Sequence, residues 1–152
     1  MGDDGADMSD VLKLDNQLCF ALHAASRAMT GAYQPLLEAL GVTYPQYLVL
    51  LTLWEEDGAR VSRIGERLHL DSATLTPLLK RLEAHGLVER RRSTVDERVV
   101  EIFLTAKGRR LERKASEVAK DIFCKTQLSL GELGRLREEL KELTRKLQAV
   151  AA

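Results

Sequence analysis

Val61-Ser-Arg-Ile-Gly-Glu-Arg-Leu-His-Leu-Asp-Ser-Ala-Thr-Leu-Thr-Pro-Leu-Leu-Lys-Arg-Leu-Glu-Ala-His-Gly86 reads as two short amphipathic helices joined by a tight turn. Val61, Ile64 and Leu68 recur at helical spacing and turn inward, while Arg60, Arg63 and Arg67 turn outward. His69-Leu70 is the turn. Asp71 or Ser72 supplies the side-chain oxygen that starts the second helix, and Gly86 ends it. Leu75, Leu78, Leu79 and Leu82 form its apolar side. Pro77 lies several residues inside, where a missing N–H breaks a helical bond. Either the first turn is distorted or regular helix begins near Thr76.

Downstream, residues 87–92 and 99–104 are β-leaning runs, and the polar stretch 93–98 between them makes a hairpin. A helix–turn–helix followed by a hairpin is a winged helix, whose second helix fits the DNA major groove. Its outward side chains are Ser72, Thr74, Thr76, Lys80 and Arg81, a set suited to phosphates and base edges. The wing carries Arg90, Arg91, Arg92 and Arg98, and an arginine at a hairpin tip suits the minor groove. Asp96, two residues before Arg98, is placed to hold its guanidinium. The charge distribution agrees. Residues 1–59 carry 2 basic and 9 acidic side chains, residues 60–98 carry 9 and 6, and residues 99–152 carry 12 and 8.

Upstream, Leu18, Leu22, Ala25, Met29, Tyr33, Leu36 and Leu40 make one helical stripe, with a kink expected at Gly31 and Pro35 and an end at Gly41. Residues 43–58 read as a buried helix with Pro45 in its first turn and Tyr47, Leu48, Leu50, Leu51 and Trp54 on a broad apolar face. Thr105 caps a helix to about Thr126. Leu133, Leu136, Leu140, Leu143, Leu147 and Val150 then form a seam suited to pairing with another helix. The fold expected is mainly α with a small β-hairpin wing. After a frayed acidic start at residues 1–10, residues 11–152 form one domain. Residues 43–105 are the winged helix-turn-helix, and residues 11–42 and 106–152 are helices that build a homodimer.

No apolar run approaches the roughly twenty residues of a membrane span, and the acidic start is unlike a secretion signal, which points to the cytoplasm. Cys19 and Cys124 lie far apart and match no zinc spacing, so neither a metal nor a cofactor is implied.

Three segments carry a family resemblance: Asp71-Ser-Ala-Thr-Leu-Thr-Pro-Leu-Leu-Lys-Arg-Leu-Glu, Gly86-Leu-Val-Glu-Arg and Asp96-Glu-Arg-Val-Val-Glu-Ile-Phe-Leu-Thr. They resemble the MarR family of dimeric winged-helix repressors. Leu14-Asp-Asn-Gln-Leu-Cys-Phe-Ala-Leu and Thr43-Tyr-Pro-Gln-Tyr are similar to its organic-hydroperoxide-sensing branch, of OhrR type. The resemblance implies a repressor, not an enzyme, that grips a pseudo-palindromic operator and is released by organic hydroperoxide. It implies that Cys19 is the oxidised thiol, that Tyr33 and Tyr44 from the partner subunit hydrogen-bond it, and that Cys124 of the partner is the resolving thiol. The position one turn after Cys19, often tyrosine in this branch, is His23 here. Physical chemistry is consistent with that assignment. A thiolate is the reactive form, phenol hydroxyls donate to it, and an apolar surround of Phe20, Leu22 and Trp54 suits an organic oxidant. Two alternatives stay open: a regulator released by a small phenolic or aromatic ligand, and a thiol peroxidase, against which the lack of a thioredoxin-like βαβ pattern argues.

Overall fold

A computed structural model describes residues 8–151. Of the acidic start expected to fray, residues 1–7 lie outside the described residues. Met8–Val11 form a one-turn helix, α1, followed by a 3-10 turn at Leu14–Asn16. The chain then runs α2 (Leu18–Leu40), α3 (Tyr44–Glu55), β1 (Ala59–Arg60), α4 (Val61–Leu68), α5 (Ser72–Ala84), β2 (Val88–Arg92), β3 (Val100–Leu104), α6 (Ala106–Thr126) and α7 (Leu130–Ala151). It forms two compact units, one ending at Ala115 and one starting at Ser116.

The helix boundaries follow from their caps. Thr43 and Gln46 form a reciprocal capping box at the start of α3, with Pro45 in its first turn. Asp71, rather than Ser72, caps α5 by accepting the Thr74 N–H at 2.7 Å. Helix α5 is regular from Ser72 and passes through Pro77, so it does not begin near Thr76. The bond lost is one the Ala73 carbonyl would accept, and Ala73 lies on the exposed side, where water replaces the donor. Helix α2 likewise runs as one element from Leu18 to Leu40 with Gly31 and Pro35 inside it. Gly41 and Gly86, both at positive φ, end α2 and α5. His69 takes the same left-handed conformation at the end of α4, with the Leu70 N–H reaching the Gly65 carbonyl at 2.9 Å.

The hairpin is as expected, and β1 joins it. The sheet order is β1-β3-β2, all antiparallel, with Ala59 opposite Ile102 and Arg91 opposite Glu101. Two residues are too few for an alternating pattern to be visible in sequence, which is why β1 was not foreseen. Leu50, Leu53, Ile64, Leu75, Leu79, Leu82, Val88 and Ile102 are buried almost completely and form the core of the first unit. Those side chains come from α3, α4, α5 and both hairpin strands, so one apolar cluster fixes α5 against the wing.

In the second unit, α6 ends at Thr126 and is followed by Gln127, which has positive φ. Ser129 and Glu132 then form a capping box for α7. Helix α7 buries no residue, and Leu136, Leu140, Leu147 and Val150 are exposed along it.

Candidate nucleic-acid interface and thiol site

Helix α5 presents Ser72, Thr74, Lys80 and Arg81 to solvent. Thr76 is only half-buried rather than fully exposed, and its hydroxyl donates to the Ser72 carbonyl at 2.7 Å, leaving oxygen lone pairs but no free donor. The capping carboxylate Asp71 has its pKa lowered, chiefly by the Thr74 backbone N–H. It therefore remains ionised and keeps the start of α5 in order.

The wing sorts its arginines by strand register. Arg90 lies opposite Ile102 on the core-facing side. Its backbone N–H donates to Glu83 at 3.0 Å, tying β2 to α5, and its Nε is buried without a partner. Arg91 pairs with Glu89 at 2.6 Å and lies over the Phe103 ring, 4.6 Å from its centre. Arg92 donates to the Glu97 carbonyl at 3.1 Å. Arg98 is different: its side chain is 92% exposed at the tip, in contact with Asp96.

The tip is ordered from within. The buried Ser93 hydroxyl oxygen accepts the N–H groups of Val95 and Asp96, and the Val99 N–H reaches the Asp96 carbonyl at 2.9 Å. Asp96 accepts both the backbone N–H and Nε–H of Arg98, and these hydrogen bonds, with help from the Arg60 charge, hold its carboxyl below the usual range. Arg60, at the end of β1, thus adds positive charge beside the wing. Its place there depends on β1, so sequence alone grouped it with α4.

Cys19 is the second residue of α2 and is exposed. The first turn of a helix has backbone N–H groups without intrahelical acceptors, and these face incoming negative charge. His23 follows one turn on and is exposed. Cys124, in the last turn of α6, is also an exposed free thiol.

Tyr33 of α2 and Tyr44 of α3 come together, with ring centres 5.1 Å apart. Sequence reasoning missed the third member, Tyr47, which lies 5.7 Å from Tyr33 and 6.3 Å from Tyr44. The signal was present: 44 and 47 are three apart on one helix and share a face. Burial and the neighbouring phenols raise the Tyr33 pKa to about 12, and burial also raises those of Tyr44 and Tyr47. All three hydroxyls therefore keep their protons near neutrality and remain hydrogen-bond donors.

Residues 32–115, more than half of the chain, match the family model for the transcriptional regulator SarA/Rot. The chain is 49% identical over 138 residues to the organic hydroperoxide resistance transcriptional regulator of Bacillus subtilis (strain 168), covering 91% of this chain and 94% of that one. It is 51% identical over 142 residues to the HTH-type transcriptional regulator TtmR of Methylorubrum extorquens (strain PA1), covering 93% and 73%. Among solved structures it is similar to AbfR of Staphylococcus epidermidis. Against reduced AbfR bound to DNA the TM-score is 0.77 at 39% identity, covering 91% of this chain and 95% of that one. Against disulfide-formed AbfR it is 0.64 at 38% identity, covering 93% and 94%.

Proposed function

Because the chain belongs to the SarA/Rot family of winged-helix transcriptional regulators, we propose that it is a DNA-binding repressor released from its operator when organic hydroperoxide oxidises Cys19. The observation that carries the redox reading is the placement of Cys19: an exposed thiol in the first turn of α2, in a chain half identical to an organic hydroperoxide resistance regulator. The DNA reading is supported by the exposed polar face of α5 and the ordered Arg98 tip, and by the likeness to AbfR on DNA.

The reaction balances without a cofactor. The Cys19 thiolate attacks the outer oxygen of the hydroperoxide. The O–O bond breaks, the alkoxide takes up a proton and leaves as an alcohol, and Cys19 becomes a sulfenic acid. The Cys124 thiol of the partner subunit then attacks that sulfur, forming a disulfide and releasing water. Tyr33 and Tyr44 of the partner serve as donors to the thiolate.

The protein acts as a homodimer on a pseudo-palindromic operator. Supporting this, Leu14, Leu18, Phe20 and Met29 near one end and Leu136, Leu140, Leu147 and Val150 near the other are exposed apolar side chains on helices or their approaches. Uncovered apolar side chains on each of the two units mark interface surfaces. Burying both between subunits takes an obligate contact of more than about 2,000 Å².

The test is DNA binding before and after one equivalent of cumene hydroperoxide, with a duplex selected by the reduced protein from a random pool. Wild type is expected to release the duplex and Cys19→Ser to hold it. Release from Cys19→Ser, or release only by a phenolic acid, would replace the redox reading with the ligand one.

A further inference from the structure

Helix α3 carries Tyr44, Tyr47, Leu51 and Trp54 at intervals of three, four and three residues, a single stripe along about 15 Å of helix. One end of the stripe meets the tyrosine pair described above. At the other, the Trp54 ring stands edge-on to Tyr47 with centres 6.4 Å apart, within the range of a favourable aromatic contact. The Trp54 indole N–H donates to the Gly108 carbonyl at 3.0 Å, across 54 residues of sequence.

Gly108 is a junction. It lies in the first turn of α6, and a Cβ built there collides with the Leu87 carbonyl oxygen. The same carbonyl accepts the Thr105 N–H at 3.1 Å, and the Thr105 hydroxyl donates to the Gly86 carbonyl at 2.6 Å. Gly86 and Leu87 lead directly into β2. The first turn of α6 therefore cannot shift without moving the root of the wing. Beside it, Asp57, just beyond α3, accepts the Leu104 N–H of β3 at 2.8 Å and pairs with Arg109 of α6 at 2.8 Å. Helix α3 is thus fastened at its C-terminal end to β3 and to α6, whose first turn meets the segment leading into β2, and at its N-terminal end to Tyr33.

We propose that Trp54 is the positioning residue that couples the tyrosine pair to the wing, so that a change at the Cys19 thiol is transmitted along α3 to the DNA-reading surface. The inference rests on the redox reading above. When oxidation removes the thiolate that the tyrosines serve, Tyr33 and Tyr44 re-pack, Tyr47 moves with them, and the Trp54–Gly108 hydrogen bond converts that movement into a displacement of the wing root. Packed contacts of this kind have discrete arrangements, which is what a switch requires. Trp54 touches neither the thiol nor DNA in this scheme.

Trp54→Phe keeps an aromatic ring at the position, smaller than the indole, and removes the N–H. The experiment measures the affinity of reduced and hydroperoxide-oxidised protein for the selected duplex, together with the rate of Cys19 thiol loss. The expected result is a wild-type oxidation rate, wild-type affinity when reduced, and an affinity loss on oxidation smaller than that of wild type by at least about fivefold. A merely structural role would lower the melting temperature and leave that ratio alone; a wild-type ratio overturns the proposal. Trp54 is the single tryptophan of the chain, so its emission is a second readout that needs no variant. The emission is expected to change when cumene hydroperoxide oxidises wild type and to stay constant in Cys19→Ser. Constant emission in wild type that has lost its thiol and released DNA also overturns it. If Cys19→Ser itself releases DNA, the redox reading fails and the coupling with it; if Cys19→Ser holds DNA while Trp54→Phe behaves as wild type, only the coupling fails.

Discussion

Asp96 holds Arg98 at the wing tip through one carboxylate oxygen, which accepts the Arg98 backbone N–H at 3.1 Å and its Nε–H at 3.2 Å. The arrangement limits the rotamers of a side chain that is otherwise almost fully exposed, so less conformational entropy remains to be lost when DNA binds. Those two bonds use the backbone N–H and the Nε–H, so the pairing itself does not engage the Nη groups.

Replacing Arg98 by alanine is therefore expected to weaken operator binding by about 1–3 kcal/mol. Asp96→Ala should weaken it by less, because the arginine survives but loses its support. Titration of each variant against the selected duplex checks the order. Equal affinity of wild type and Arg98→Ala would remove the tip from the interface.

Lys80 and Arg81 lie about two turns further along α5 than the Asp71 cap, both exposed. If they meet phosphates, Lys80→Ala and Arg81→Ala should bind more weakly on every sequence and each lower the salt slope of log Kd by roughly one unit. Affinity measured at several salt concentrations separates this from base reading, which would alter sequence preference and leave the slope unchanged.

Gly108→Ala addresses the contact between α6 and the wing root. The added methyl meets the Leu87 backbone carbonyl, which cannot rotate away as a side chain would. Overpacking against backbone is expected to cost about 1–3 kcal/mol of stability or more. Urea unfolding should show a lower midpoint at an unchanged slope. A wild-type midpoint would mean that the junction is looser than the geometry indicates.

How much of this was legible beforehand depended on the length of each signal. The reader was plain, since Val61, Ile64 and Leu68 against Arg60, Arg63 and Arg67 repeat often enough to fix one helix face, and the hairpin follows from two apolar runs around a polar loop. Pro77 misled because a local rule was read without the exposed setting of Ala73, which makes the lost hydrogen bond cheap. The wing arginines look equivalent in sequence; pairing register separates the inward Arg90 from the outward Arg91, and the loop sets Arg98 at the exposed tip against Asp96. Tyr33 and Tyr44 could be named only by resemblance, because ten residues and a helix end intervene between them. Tyr47 reads as one residue of an apolar helix face, and Trp54 as that and as an apolar neighbour of the thiol; the bond to Gly108 is a tertiary contact that no local pattern signals.

The raised Tyr33 pKa makes a prediction in alkali. Burial favours the neutral phenol in the folded state, with a value of about 12 against an ordinary 10.0. Stability from this group is complete below pH 10 and is lost as pH rises toward 12, because the unfolded chain releases its proton first. Thermal melting followed between those limits should fall less steeply in Tyr33→Phe than in wild type. Parallel curves would mean that the ring is more hydrated than its packing against Tyr44 and Tyr47 implies.

The last prediction concerns the two thiols. Both are exposed and unbonded in this structure, on helices α2 and α6. A disulfide requires Cα atoms within about 7 Å, so a bridge between Cys19 of one subunit and Cys124 of the other forms only where the dimer brings those helices close or oxidation moves them together. One equivalent of cumene hydroperoxide should then yield a dimer band on a non-reducing gel in wild type and none in Cys19→Ser or Cys124→Ser. Cys124→Ser should still lose the Cys19 thiol at the first oxidation, since the attack on hydroperoxide does not need the second cysteine. Its sulfenic acid has no resolving partner, so further peroxide should carry it to sulfinic acid and DNA binding should fail to return on reduction. Mass spectrometry distinguishes these species by one and two added oxygens. A wild-type protein that loses its Cys19 thiol completely yet forms no cross-linked dimer would leave Cys19 as a one-cysteine sensor and Cys124 as a bystander on the surface of α6.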